Sequence, residues 1–124
     1  TKTAGGFGAV GNVISGGQNQ SEIYDEGNST STLTVNWNQG NVHFIDLDDL
    51  LTLSFSNPIS GGVYKLVFKQ DVTGTHTVTW PAEVQWPGGT APTISATAGD
   101  IDVIELIYNG LDDEYYGTFT QDYS

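Results

Sequence analysis

The chain has 124 residues, enough for one domain with a single hydrophobic core, and its lack of cysteine excludes disulfides, thiol catalysis and thiolate metal sites. The chain contains fifteen acidic residues, three lysines and no arginine, which gives a formal net charge of −12. Because nucleic acids and anionic membranes are bound through clustered Lys and Arg side chains, the composition predicts neither kind of partner.

The first 20 residues form a glycine-rich segment that differs from the rest of the chain. Glycine at this density disfavours a helix, so we predict an N-terminal arm over residues 1–20 and an all-β domain over residues 21–124. The arm is either loosely pinned or ordered against a neighbouring subunit, where it would add a strand to an exposed sheet edge. Its apolar residues are the candidate partner contacts: Phe7, Val10, Val13 and Ile14.

From Thr32 onwards the hydrophobic pattern has a period of two, interrupted often by turn residues. Residues 33–37 and 63–70 alternate in this way, and residues 38–41 are the predicted turn after the first of these strands. Residues 101–109 are apolar on both faces, which is typical of a central strand. We count six or seven strands and no amphipathic helix. The pattern therefore predicts an antiparallel β-sandwich or a small barrel of the jelly-roll kind.

Two Trp-Pro pairs, Trp80-Pro81 and Trp86-Pro87, lie six residues apart and precede a Gly-Gly turn. Each proline fixes its own φ angle and favours extended backbone before it, so both indole rings lie on a rigid bend between strands. The bend is predicted to be a corner of the core, with Trp80 and Trp37 packed inside. Trp86, beside the glycines, is the candidate for partial exposure at a contact surface.

Several short strings occur in a characteristic order. They occupy residues 36–42, 51–58, 61–66, 70–74 and 104–117, and the most specific is the pair of Trp-Pro motifs that ends in Trp-Pro-Gly-Gly-Thr-Ala-Pro at residues 86–92. In this order they resemble a β-rich module of bacteriophage virion proteins, of the tail-fibre and minor structural type, over residues 32–120. The resemblance implies a location in the virion and a particle-building or receptor-facing role, usually in oligomers. It carries over no catalytic residue.

Neither a metal site nor a catalytic set is predicted. Acidic residues cluster at residues 46–49, 100–102 and 112–114, and loop carboxylates of this kind can bind Ca²⁺, but none follows the EF-hand spacing and solvated turns are favoured. His43 and His76 lack a neighbouring nucleophile signature of the Gly-x-Ser-x-Gly kind. The sequence therefore predicts a protein without enzymatic activity and without a cofactor.

The sequence as a whole predicts a non-enzymatic phage virion structural protein that self-assembles as a fibre or knob, or decorates the capsid. Its predicted partners are further copies of itself, a trimer being one arrangement, other virion proteins and a host-surface glycan. Two alternatives remain open. One is a monomeric carbohydrate-binding module or adhesin with exposed Trp or Tyr rings, and the other is a filament subunit that assembles by N-terminal strand donation.

Overall fold

The computed structural model describes residues 22–29 and 31–124. The predicted arm over residues 1–20, with all four of its candidate contacts, lies outside the described residues. Within the described part the chain forms strands and two short 3-10 turns, at Trp37–Gln39 and Pro87–Gly89, and no helix long and apolar enough to cross a membrane. The strands are β1 (Tyr24–Asn28), β2 (Thr32–Asn36), β3 (Val42–Leu47), β4 (Leu51–Ser56), β5 (Val63–Gln70), β6 (Val78–Thr79), β7 (Val84–Gln85), β8 (Ile101–Asn109) and β9 (Glu114–Tyr123).

The strands form two sheets. The larger has the order β1-β3-β5-β8-β9-β7 and the smaller the order β2-β4-β6, so the chain passes from one sheet to the other at every link from β1 to β7. Neighbours in this part run parallel: β1 with β3, β3 with β5, β2 with β4, and β4 with β6. The chain from Tyr24 to Thr79 is therefore a coil of three turns, each of which supplies one strand to each sheet.

The predicted all-β class is confirmed. The predicted antiparallel pairing needs correction, because neither sheet consists of antiparallel strands alone. Antiparallel pairing joins β8 to its neighbours β5 and β9, whereas the coil is parallel and the larger sheet is mixed. The predicted turn at residues 38–41 does not close a hairpin, since β2 and β3 belong to different sheets. Period-two alternation shows which side chains face the core, and it carries no information on which strand lies alongside.

The core lies between the two sheets because alternate residues of each strand point inward. In β3, His43, Ile45 and Leu47 are buried while Val42 and Phe44 are half-exposed. The prediction of residues 101–109 as a central strand is confirmed by β8, which has a neighbour on each side. Both sheets supply buried apolar side chains: Val35, Leu51 and Leu53 from the smaller sheet, and Ile45, Leu47, Leu66, Phe68, Ile104 and Leu106 from the larger.

Candidate functional site

The bend between β6 and β8 is a packed corner, as its Trp-Pro motifs predict. The indole Nε1 of Trp80 donates a hydrogen bond to the carbonyl oxygen of Pro92 at 3.0 Å, which ties the two ends of the bend together. The Trp80 ring meets Phe68 edge-on at a centroid distance of 5.7 Å and Trp86 at 5.1 Å. Such edge-to-face pairs stabilise a core beyond the area that they bury. Trp80 is therefore a structural anchor of the bend.

Trp86, the predicted contact residue, lies against the backbone of β9 at Gly117. A Cβ atom on Gly117 would come within 2.6 Å of Cζ3 of the indole, so only glycine leaves room for the ring there. Trp86 is half-buried, and the adjoining Gln85 and Pro87 are exposed. Part of the ring is thus accessible on a rigid support, and its contact with a partner stays a prediction.

A second group of aromatic rings lies inside the core. Trp37 stacks on Tyr64 at a centroid distance of 4.3 Å, and its Nε1 donates a hydrogen bond to the Tyr115 hydroxyl at 3.0 Å. Burial raises the pKa of Tyr115 to about 12, although the hydrogen bond from Trp37 acts in the opposite direction. Trp37 is only 4% exposed. These rings are core residues and do not form a platform for a sugar.

His43 is fully buried and both of its ring nitrogens face acceptors. Nδ1 lies 2.7 Å from Oε2 of Glu26 and Nε2 lies 3.0 Å from the carbonyl oxygen of Gly40. Since a carbonyl oxygen can only accept, Nε2 is the donor in its contact with Gly40, and the carboxyl group of Glu26 is the partner of Nδ1. Sequence reasoning missed this pair because 17 positions separate the two residues. The available signal was the position of His43 on the same strand face as Ile45.

Acidic residues of the clusters noted in the sequence accept hydrogen bonds from other groups of the chain itself. The carboxylate of Asp102, which is 1% exposed, accepts hydrogen bonds from the backbone N–H groups of Ser95 and Asp122 and from the Gln121 side chain. Burial acts to raise the pKa of Asp102, but these hydrogen bonds together hold it below its ordinary value. In the third cluster, Asp113 accepts from the Tyr108 hydroxyl at 2.7 Å.

Across residues 22–29 and 31–124, no three His, Cys, Asp or Glu side chains are arranged to hold a metal ion. The second histidine, His76, donates a hydrogen bond from Nε2 to Oδ1 of Asp71 at 3.0 Å. Burial acts to raise the pKa of Asp71, whereas hydrogen bonds from Gly74, Thr73 and His76 lower it. Both histidines therefore have carboxylate partners that fix loops or strands of the fold.

The outer face of the six-stranded sheet carries apolar side chains in cross-strand rows. Val63, Ile107 and Tyr116 lie in register on three adjacent strands and are 45%, 48% and 43% exposed. Directly opposed residues in a sheet point to the same side, so these three side chains form one continuous strip. A second row is half-buried and consists of Phe44, Val67 and Val103.

Charged residues of both signs lie between and beside these rows. Lys65 pairs with Glu105 at 3.4 Å between the two apolar strips, and Lys69 lies in register beside Asp46 on the adjacent strand. Lys65 and Lys69 are two of the three lysines in the chain. The outer face, meaning the two apolar rows together with these four charged residues, also carries Asp25, which is exposed in register with Phe44, and Glu114, which accepts a hydrogen bond from the Tyr116 hydroxyl. Its carboxylates therefore outnumber its two lysines.

Residues 27–113 match a protein family described as "Putative phage tail fibre C-terminal domain". The match covers more than half of the chain, from the end of β1 to the loop before β9, and includes both Trp-Pro motifs. No curated protein and no solved structure matches the chain.

Proposed function

The chain belongs to the family of phage tail fibre C-terminal domains, and from this premise we propose that it is a non-enzymatic structural module of the tail fibre. The observation that carries the proposal is the family match over residues 27–113, which includes β2 to β8 and so strands of both sheets. The hydrogen bonds of the buried polar side chains agree with this proposal. His43, Asp102 and Tyr115 are buried and hydrogen-bonded within the fold, as expected of a scaffold.

The module acts through surface complementarity. A two-sheet body with a Trp-anchored corner presents a rigid outer face and a strongly acidic exterior to its surroundings. Its partners are further copies of the same chain, with a trimer as one arrangement, and other virion proteins. A position at the tail fibre agrees with the family better than decoration of the capsid.

The location is tested on purified phage particles. Peptides from this chain should appear in the mass spectrum of particles freed of host lysate, and an antibody against the domain should label the tail fibres in electron micrographs. Antibody preabsorbed with the purified domain is the control. Labelling of the capsid surface would assign the decoration role instead, and particles without these peptides would contradict a virion protein.

A glycan-binding role at the host surface has one observation in its favour, the partly accessible Trp86 ring beside an exposed turn. Aromatic faces are suited to stack against apolar faces of sugars, and the exposed residues Tyr116 and Tyr123 extend the supply of rings. A glycan array should then show saturable binding that Trp86→Phe weakens and Trp37→Phe, a core change, leaves in place. An array without hits would contradict this role.

A further inference from the structure

We propose that Asn109 is a site of spontaneous deamidation, at which the backbone nitrogen of Gly110 displaces ammonia from the side-chain amide, and that the Ser60 hydroxyl slows this reaction. Asn109 ends β8, and the loop that follows it leads into β9 at Glu114. Asn109-Gly110 is the single Asn-Gly pair in the chain. Since glycine has no side chain to crowd its nitrogen, this pair allows the attack more readily than any other asparagine of the sequence.

The reaction consumes only water. The nitrogen of Gly110 gives up its proton to hydroxide and forms a bond to Cγ of Asn109, and the bond from Cγ to Nδ2 breaks as ammonia leaves with a proton taken from water. The product is a cyclic imide, a succinimide. Water then adds to one of its carbonyl carbons and opens the ring, which yields either aspartate or isoaspartate. In the isoaspartate the main chain runs through Cγ.

The loop supplies groups that favour attack at Cγ. The backbone N–H of Leu111 donates to Oδ1 of Asn109 at 2.9 Å, and Nδ2 of Asn109 donates to Oδ2 of Asp112 at 3.2 Å. Negative charge develops on Oδ1 when the nitrogen attacks, so a donor already placed on that oxygen stabilises the tetrahedral intermediate. Gly110 and Leu111 are both exposed, so water and hydroxide reach the reacting atoms.

One contact acts against the reaction. The N–H of Gly110 donates a hydrogen bond to Oγ of Ser60 at 3.0 Å, across to the loop before β5. This hydrogen bond must break before the nitrogen can lose its proton and turn towards Cγ. Its free energy therefore adds to the barrier, and Ser60 restrains the deamidation.

The fold requires both residues of this labile pair. A Cβ atom on residue 110 would lie 2.8 Å from Cβ of Ser60, so a larger residue in place of Gly110 would push the two loops apart. The Asn109 side chain makes a further hydrogen bond, from Nδ2 to the Tyr116 hydroxyl at 2.9 Å. Substitution of either residue would therefore cost contacts that hold the β8–β9 loop.

Deamidation should loosen this loop. The new carboxylate has no hydrogen to donate to Asp112 or to the Tyr116 hydroxyl, and its negative charge lies against that of Asp112. The Tyr116 hydroxyl already donates to Glu114 at 3.1 Å, so it cannot satisfy the new acceptor without giving up that bond. The product therefore has one more negative charge and fewer hydrogen bonds at this loop.

The test incubates the whole chain at mildly alkaline pH and follows it by peptide mapping with mass spectrometry. The peptide that contains Asn109 should gain the mass of an amide-to-acid conversion and separate into an aspartate and an isoaspartate form. Asn41, which precedes the β-branched Val42, is the internal control and should remain an amide. A synthetic peptide of residues 105–114 lacks the Ser60 contact and should convert faster than the whole chain.

Variants of Ser60 test the restraint. Ser60→Ala should speed the conversion by about two- to tenfold, the factor that corresponds to the loss of one hydrogen bond. Ser60→Thr keeps the hydroxyl and is the matched control, with an expected rate close to that of the wild type. Ser60 is exposed, and circular dichroism confirms that both variants are folded. Asn109→Asp reproduces one product and should unfold at a lower urea concentration than the wild type.

The proposal would be overturned if Asn109 stayed an amide in the whole chain after the synthetic peptide had converted completely. A rate that Ser60→Ala leaves unchanged would overturn the restraint by Ser60, and an Asn109→Asp variant as stable as the wild type would contradict the loosening of the loop. The tail-fibre role is tested separately on phage particles, so these outcomes leave it standing.

Discussion

The buried carboxyl group of Glu26 provides the hydrogen-bond partner of Nδ1 of His43. Without it, this ring nitrogen would be unpaired in the core. The pair lies against Trp37, whose ring is edge-on to the imidazole at 5.3 Å, and against Tyr24 at 5.1 Å. Aromatic walls offer no replacement acceptor or donor for Nδ1. Hydrogen bonding at Nδ1 of His43 therefore depends on the carboxyl group of Glu26.

Replacing Glu26 should lower stability in a way that depends on the replacement. Glu26→Ala leaves Nδ1 of His43 without its partner and should reduce the free energy of unfolding by about 1–3 kcal/mol. Glu26→Gln keeps a bond, because the amide N–H can donate to Nδ1 of a neutral imidazole, and should lose less. Urea denaturation of both variants near neutral pH measures the difference. Equal losses would contradict a hydrogen-bonding role.

Two neighbouring aspartates, Asp100 just before β8 and Asp102 within it, should respond to amide substitution in opposite directions. Burial and the negative charges of Asp122 and Asp102 raise the pKa of Asp100, so its ionised form destabilises the folded state. Asp102 has a lowered pKa because its hydrogen bonds outweigh burial, so its ionised form stabilises the folded state. Near neutral pH, Asp100→Asn should therefore raise the free energy of unfolding, and Asp102→Asn should lower it.

The pH dependence follows from the same directions. In the folded state Asp100 binds its proton more tightly than in the unfolded chain, so its unfavourable contribution appears as the pH rises above the ordinary value of 3.8. The favourable contribution of Asp102 is present above 3.8 and is lost as the pH falls through its lower folded pKa. Denaturation of each variant and the wild type across this range measures both. Parallel curves would contradict the assignment.

At the scale of strands, the alternation of apolar and polar side chains predicts much of the fold. The points where a strand begins or ends are predicted less well. The strand β5 and its buried face follow directly from the period of two, and β8 follows from its apolar run. Residues 75–80 also alternate in sequence, but only Val78–Thr79 form a strand, because Thr75 has a φ angle of 66° and its N–H donates to the carbonyl oxygen of Ala96 in a loop. A positive φ at threonine is set by tertiary contacts that local propensity does not include.

The coil could not be recognised in the sequence because its turns contain different numbers of residues. In register, Tyr24 lies beside His43, Val42 beside Lys65, and Leu51 beside Val78, offsets of 19, 23 and 27 residues. Loops of different length absorb the difference, so equivalent positions do not recur at a constant spacing. A repeat search of the sequence depends on constant spacing and therefore finds none.

The docking of the Trp-Pro bend onto β9 should depend on the absence of a side chain at Gly117. Gly117→Ala brings a methyl group against the Trp86 ring and should cost about 1–3 kcal/mol of stability by overpacking. Thr118→Ala, at the next and exposed position, is the matched control and should have a small effect.

A double-mutant cycle shows whether the Gly117 effect acts through the ring. If Trp86→Leu removes the obstacle, adding Gly117→Ala to it should cost clearly less than in the wild type. The free energies come from denaturation followed by tryptophan fluorescence and circular dichroism. Additive losses would mean that the glycine is required for another reason.

At the scale of the whole molecule, the family could be predicted from the sequence, whereas the set of side chains that meet on the outer face of the larger sheet could not. The tail-fibre resemblance is confirmed by the family match. The outer face was beyond sequence reasoning, since Phe44, Val67 and Val103 come from strands far apart in the chain and become neighbours only through the strand order and register. The predicted contacts in residues 1–20 stay predictions because they lie outside the described residues.

Deletion of residues 1–20 distinguishes two ways in which copies of this chain can assemble. Strand donation by the arm requires the deleted segment, so the shortened chain would become a monomer with an intact β-core. Assembly through the β-domain uses only residues 21–124, so the shortened chain should keep the mass of the whole chain. We expect the mass to be kept, because the exposed apolar row of Val63, Ile107 and Tyr116 remains complete. Light scattering gives the mass, and circular dichroism confirms that the core is folded. A folded monomer would assign the assembly role to the arm.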